Sequence, residues 1–172
     1  MKGRSMKRIP VFVFAAAAAA CVIAAMPFAA GRADDEGSPI FGVKIPAGYR
    51  EWELTAVSHE SGLDELRGIL GNATALKAYR DGTLPFPDGT ILAKLAWKHQ
   101  PLVRIDGAFV TGPATTVQIM VKDSRKYAST GGWGFGRFID GKPVDEGQHE
   151  TCFACHQANA KGHDLVFTRY AP

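Results

Sequence analysis

Cys152-Phe153-Ala154-Cys155-His156, close to the C-terminal end, constrains this chain more than any other stretch. In a helix, residues i, i+3 and i+4 share a face, so one turn presents two thiols and an imidazole to one edge of a porphyrin. CxxCH is the attachment signal for a c-type haem. The thiols of Cys152 and Cys155 add across the vinyl groups, and His156 becomes the proximal iron ligand. Only sixteen residues follow His156, too few for a cytochrome that draws a methionine ligand from a long segment after its motif. A structural zinc site would need two further ligands at suitable spacing; no second cysteine pair exists, although His149 and His163 are near. A thioredoxin-like redox pair would need a βαβ context, and none surrounds the motif.

The N-terminus reads as an export signal. Lys2, Arg4, Lys7 and Arg8 form a basic region, Ile9 to Ala25 is almost wholly apolar, and small residues precede Asp34-Asp35-Glu36. That is the layout of a secretory signal peptide over residues 1–33, with cleavage expected between about 30 and 34. The apolar run is short for a membrane span and contains Pro10; Ala18-Ala19-Ala20-Cys21 is a poor lipidation signal. Residues 34–172 then form a single c-type haem domain of 139 residues, a length suited to one core. The leader holds five Lys/Arg and no Asp/Glu, so 15 of the 20 basic residues remain against 17 acidic, a net charge of −2. The basic character of the whole chain belongs to the leader and gives no support to nucleic-acid binding. No membrane association is expected after cleavage, and Cys152 and Cys155 are the remaining cysteines. The periplasm, where c-type haem is attached, is the expected compartment.

The remaining sequence alternates more than it spirals. Ser38 to Pro46 reads as an irregular lead-in arm. Trp52, Leu54, Ala56 and Ser58 alternate with Glu53, Thr55, Val57 and His59 as a strand, with Leu66 to Leu70 a second. Asn72 caps a helix over Ala73 to Arg80 with Leu76 and Tyr79 on one face. Leu84 to Gly89 is a turn cluster. Ile91 to Lys98 is a strong strand, Pro101 to Pro113 a loop in which Val103 and Ile105 allow a short strand, and Thr115 to Val121 a β-branched strand. Asp123 starts a short helix through Ala128. Gly132 to Ile139 alternates again before an Asp140-Gly141 hairpin turn. Gln148 to Ala160 is the helix of the haem motif, and Asp164 to Tyr170 closes as a strand with Leu165 and Phe167 on one face. The expected fold is α+β: a mainly antiparallel β-sheet of five or six strands with two or three helices, one carrying CxxCH. A four-helix-bundle gas binder would need four long segments of period 3.6, and they are absent.

The sixth iron position decides function, since a strong axial ligand gives an electron carrier and an open position allows small-molecule chemistry. Met120 is the one methionine outside the leader, and alternation puts it on the face of Gln118. His59, His99, His149 and His163 are the other donors; His149 and His163 read as surface residues, His149 on the proximal side. An open or water-bound iron is expected. Lys94 lies between Leu92 and Ala96 on an otherwise apolar face, where a sheet-edge lysine or a haem-pocket amine are both possible readings. Phe86, Phe109, Phe135 and Phe138 read as core, and could also line an apolar pocket.

Phe86-Pro87-Asp88-Gly89-Thr90-Ile91-Leu92-Ala93-Lys94 resembles the cytochrome P-460 family. So do Tyr49 to Trp52, Val121 to Ala128, Cys152 to His156 with Asn159-Ala160-Lys161, and Val166 to Arg169. These blocks run in family order over nearly the whole mature chain. The resemblance implies a mainly antiparallel β domain, usually a homodimer, with one covalently attached haem c (heme c) whose iron is five-coordinate. It also implies hydroxylamine oxidation by members in which a lysine is bonded to a haem meso carbon, and Lys94 falls on that lysine. Where catalytic members can carry a distal carboxylate this chain has Gln118, which can hydrogen-bond but cannot act as a base. The implied partners are a small nitrogenous or diatomic ligand and an external electron acceptor such as another cytochrome. The related cytochrome c′-β proteins, which bind nitric oxide or carbon monoxide, supply the alternative of a non-catalytic binding or electron-transfer cytochrome.

Overall fold

The computed structural model describes residues 36–171; the expected signal peptide at residues 1–33 lies outside them. Six strands follow one another in a meander: β1 (Glu53–Glu60), β2 (Glu65–Gly71), β3 (Ile91–Pro101), β4 (Phe109–Lys122), β5 (Trp133–Ile139) and β6 (Lys142–Pro143). Each is antiparallel to its sequence neighbour, in the spatial order β1-β2-β3-β4-β5-β6. Helix α1 (Ala73–Asp81) joins β2 to β3, and helix α2 (Glu146–Ala160) follows β6. The α+β reading with an antiparallel sheet is borne out. No described helix is long and apolar enough to cross a membrane.

Local chemistry explains most boundaries. The Asn72 carboxamide oxygen accepts from Ala75 N at 3.0 Å, capping α1, and from Ile91 N at 3.1 Å, which also fixes the start of β3. The buried side of α1 is made by Ala75 and Ala78, with Tyr79 beside them, rather than by Leu76. Asp140 and Gly141 both take positive φ, 50° and 81°, as a two-residue hairpin turn requires. Asp145 caps α2 through Gln148 N at 2.9 Å, starting the helix two residues before the expected Gln148.

Four expectations are corrected. The region 101–113 is not all loop: β3 runs to Pro101 and β4 begins at Phe109, leaving a loop of residues 102–108. Pro113 is accommodated because Gly112 and Pro113 together oppose Lys98, a bulge that spares proline a ladder donor. No α-helix follows Asp123. Its carboxylate accepts from Arg125 N and Lys126 N, making one capped turn that the glycine pair Gly131-Gly132 ends. The segment 164–170 is not a strand: Asp164 and Leu165 sit at φ 47° and 65°, so Leu165 turns into the core while Phe167 stays exposed. A bulge at Thr55 in β1 breaks the expected alternation. Leu54 lies over Gly68 beside Trp97, on the face opposite Ala56, and is exposed.

The lead-in arm is irregular, as expected, but not peripheral. Phe41, Val43 and Ile45 are buried. Ser38 donates to the Phe135 carbonyl at 2.8 Å and Tyr127 to the Phe41 carbonyl at 3.1 Å, so the arm covers the edge of β5 that short β6 leaves open.

Candidate functional site

In an antiparallel sheet, paired residues point to the same side. The register therefore sets Ala56, Ile69, Lys94, Gln118 and Arg137 in one row across β1 to β5. Leu92, Met120 and Phe135 form the next row on that side, and Arg67, Ala96 and Thr116 another. Helix α2 lies on this face. His156 packs its ring 4.9 Å from that of Phe135, and His149 Nε2 accepts from Arg137 N at 3.1 Å. Lys94, Gln118 and the CxxCH helix, far apart in sequence, are thus brought together. Met120 shares the face of Gln118, as alternation required, and packs against the core.

His156 is prepared as a ligand. Its Nδ1 donates to the Leu165 carbonyl at 2.7 Å, leaving Nε2 as the lone-pair nitrogen. Phe167 lies edge-on to the ring at 4.7 Å. Burial, reinforced by the charge of Lys94 and opposed by the Leu165 carbonyl, holds its pKa below the usual histidine value and favours the neutral, metal-binding form. Cys152 is partly buried and Cys155 exposed, and both are free thiols. Burial pushes the Cys152 thiol up.

The Lys94 amine makes no hydrogen bond among the described residues, although it is largely sequestered. Burial first, then the charge of Arg67, with Glu65 opposing and Arg137 assisting, holds its pKa down to about 8. About a tenth of its amine is then neutral at pH 7, far more than for an ordinary lysine. A depressed lysine pKa penalises folding below pH 8, and the penalty fades as pH rises toward the unfolded value of 10.5. In the haem-free chain, Lys94→Met is expected to raise stability at pH 7 by roughly 1–3 kcal/mol and to flatten the gain between pH 8 and 10.5. Urea titrations across that range check it, and equal slopes in both proteins would refute it.

Gln118 stands across from Lys94 and donates from Nε2 to the Thr116 hydroxyl at 3.2 Å. No carboxylate shares its row. Glu65, the nearest candidate, is held by Arg67 at 2.8 Å and by Thr115 at 2.7 Å. Arg137 was not singled out from sequence; the available signal was one cation in the strand Gly134-Phe135-Gly136-Arg137-Phe138. Its Nε is buried without a partner.

The other histidines are committed elsewhere. His149 is fully buried, not a surface residue; its Nδ1 donates to the Asp145 carbonyl at 2.9 Å while Nε2 accepts from Arg137 N. His163 is also part-buried, donating from Nδ1 to the Val166 carbonyl at 2.9 Å with Phe86 at its edge. His59 and His99 contact each other at 3.2 Å beyond the end of the Lys94 face, with His99 stacked on exposed Phe109. His99 is five residues of strand from Lys94, roughly 16 Å. Of the four phenylalanines, Phe86, Phe135 and Phe138 are core and Phe109 is not.

These residues fit a haem. Two thiols and a neutral imidazole lie on one helix, and that helix faces a lysine amine and a buried arginine nitrogen that have no hydrogen-bond partner among the described residues. Buried cations and donors of this kind call for a polar or anionic group in the space between. Among the described residues no group of three or more His, Cys, Asp or Glu is arranged to hold a bare metal ion. The family model Cytochrome P460 matches residues 46–168. No curated protein matches the chain.

Proposed function

Because the chain belongs to the cytochrome P460 family, and is thereby a haem cytochrome of the P460 or c′-β type, we propose that it oxidises a small nitrogenous substrate of the hydroxylamine class. We propose further that it does so in the periplasm, as a mono-haem c-type homodimer that passes electrons to an external acceptor such as another cytochrome. When bound, the haem supplies an iron that takes up a ligand nitrogen and relays its electrons. Cys152 and Cys155 would hold it by thioethers, and His156 Nε2 would be the proximal ligand. Lys94 would be the third tether, its Nζ replacing a hydrogen on the macrocycle. That bond removes a hydrogen from each partner and so requires an oxidant of the peroxide class.

The single observation that carries this reading is Lys94: an unpartnered amine with a pKa of about 8 on the sheet face that α2 covers. A neutral amine is the nucleophilic form. Gln118, directly across, can orient a ligand by hydrogen bonding but cannot take its proton. That lack of a base favours a second reading, a c′-β-type protein that binds nitric oxide or carbon monoxide, or carries electrons, without turnover.

Proteolysis and mass spectrometry of the mature holoprotein test the first reading. The peptide bearing Lys94 is expected to remain joined to the haem peptide of Cys152–His156. Lys94→Ala should abolish that joining and return the absorption spectrum to that of an ordinary c-type haem. Separate peptides and a spectrum unchanged by the substitution would remove the cross-link. Hydroxylamine turnover with an added acceptor, beside nitric oxide titration of the ferrous protein, separates enzyme from binding module.

A further inference from the structure

We propose that Lys122 is a positioning residue for the imidazole of His156, acting through Asp164 and the carbonyl of Leu165. The proposal rests on the reading of His156 as the iron ligand. Lys122 ends β4 and is 6 % exposed, an unusual place for an ammonium. Its Nζ meets both carboxylate oxygens of Asp164, at 2.8 and 2.9 Å, donates to the Gly131 carbonyl at 3.1 Å and lies 5.0 Å over the Trp133 ring. Asp164 is gripped a second time, its Oδ2 accepting from Phe86 N at 2.8 Å. One carboxylate therefore ties the segment after α2 to the end of β4 and to the turn before β3.

That grip bears directly on the ligand. Asp164 and Leu165 are consecutive residues in the left-handed region, at φ 47° and 65°. A side chain with a Cβ disfavours that conformation, a branched one such as leucine especially, and it persists only where the surroundings impose it. Here it aims the Leu165 carbonyl at His156 Nδ1, at 2.7 Å. The neighbouring bonds, Leu165 N to the Ala160 carbonyl and Val166 N to the His163 carbonyl, both 3.0 Å, close the turn but do not set where it sits against the sheet. Lys122 and Phe86 N do. A buried ion pair adds little net stability over an apolar replacement, so fold stability alone is a weak reason for it. An acceptor held on Nδ1 makes the opposite nitrogen more basic toward a metal.

The test is resonance Raman spectroscopy of the ferrous five-coordinate holoprotein, reading the iron–histidine stretch, with the reduction potential measured beside it. Lys122→Met and Asp164→Asn are both expected to move the band to lower frequency and the potential upward, because the imidazole loses electron density. Val43→Ala, a core truncation in the lead-in arm, should leave both unmoved. Asp164→Asn keeps an acceptor for Phe86 N and serves if Lys122→Met does not accumulate. A folded Asp164→Asn protein with the wild-type band and potential overturns the proposal. A wild-type protein with no iron–histidine band overturns the ligand reading on which it rests.

Discussion

His149→Leu is expected to lower stability by about 2–4 kcal/mol, with a fall of roughly 10 °C or more in the unfolding midpoint for a domain of this size. The cause is not volume. His149 is fully buried, with both ring nitrogens in use, Nε2 accepting from Arg137 N and Nδ1 donating to the Asp145 carbonyl. Leucine fills much of the same space and offers neither bond. The Arg137 amide then loses its acceptor against the helix, and an unsatisfied buried donor costs about 1–3 kcal/mol. The first turn of α2 also loses its link to β5, the strand that carries Arg137 and Phe135. Haem content should therefore fall alongside the midpoint. Thermal unfolding and pyridine-haemochrome quantitation read both, and an unchanged midpoint would show that the bond to Arg137 contributes nothing.

Gly134→Ala should cost about 3 kcal/mol or more by the opposite mechanism, overpacking. A Cβ at this position would stand 2.3 Å from Cζ of Tyr127 and 2.5 Å from Cε2, distances that carbon atoms do not tolerate. The ring cannot retreat freely, since it is buried and its hydroxyl donates to the Phe41 carbonyl at 3.1 Å. The strand cannot retreat either, because Gly134 is paired with Val121 in the ladder. Combining Gly134→Ala with Tyr127→Leu should recover part of the loss, giving a favourable coupling in a double-mutant cycle. Strictly additive effects would place the strain elsewhere than between these two side chains.

The parts of this molecule that were legible in its sequence are those governed by short-range rules. Asn72 before α1, Asp140-Gly141 between two strands, and the period-2 run from Ile91 to Lys98 each carry their own explanation within a few residues. The helix that carries Cys152, Cys155 and His156 was readable for the same reason. What escaped depends on atoms far apart in the chain. The left-handed pair Asp164-Leu165 is set by Lys122 and Phe86 N, and no local pattern distinguishes it from a strand start. The burial of His149 needed the backbone of Arg137, twelve residues away. The bulge at Thr55 arises where its hydroxyl reaches the Ile69 carbonyl, and one extra residue was enough to turn Leu54 out of the row that alternation assigned it. The site divides in the same way: register put Gln118 opposite Lys94, while Arg137 joined their row only through the pairing of β4 with β5.

Every strand in the ladder pairs with its neighbour in sequence, from β1 to β6. Such a meander has low contact order, and each closure spans a short loop except where α1 intervenes. The strand ladder itself ends at Pro143, although Val144, His149 and Ala171 add hydrogen bonds to β5 and β1. The two halves of the site are thus written in separable parts of the chain. The row of Lys94, Gln118 and Arg137 belongs to the meander, and the thiols and the imidazole belong to the helix that follows it, which returns to the sheet through His149. In chain order the sheet half of the site is complete at Arg137, before the helix that carries the thiols and the imidazole begins at Glu146.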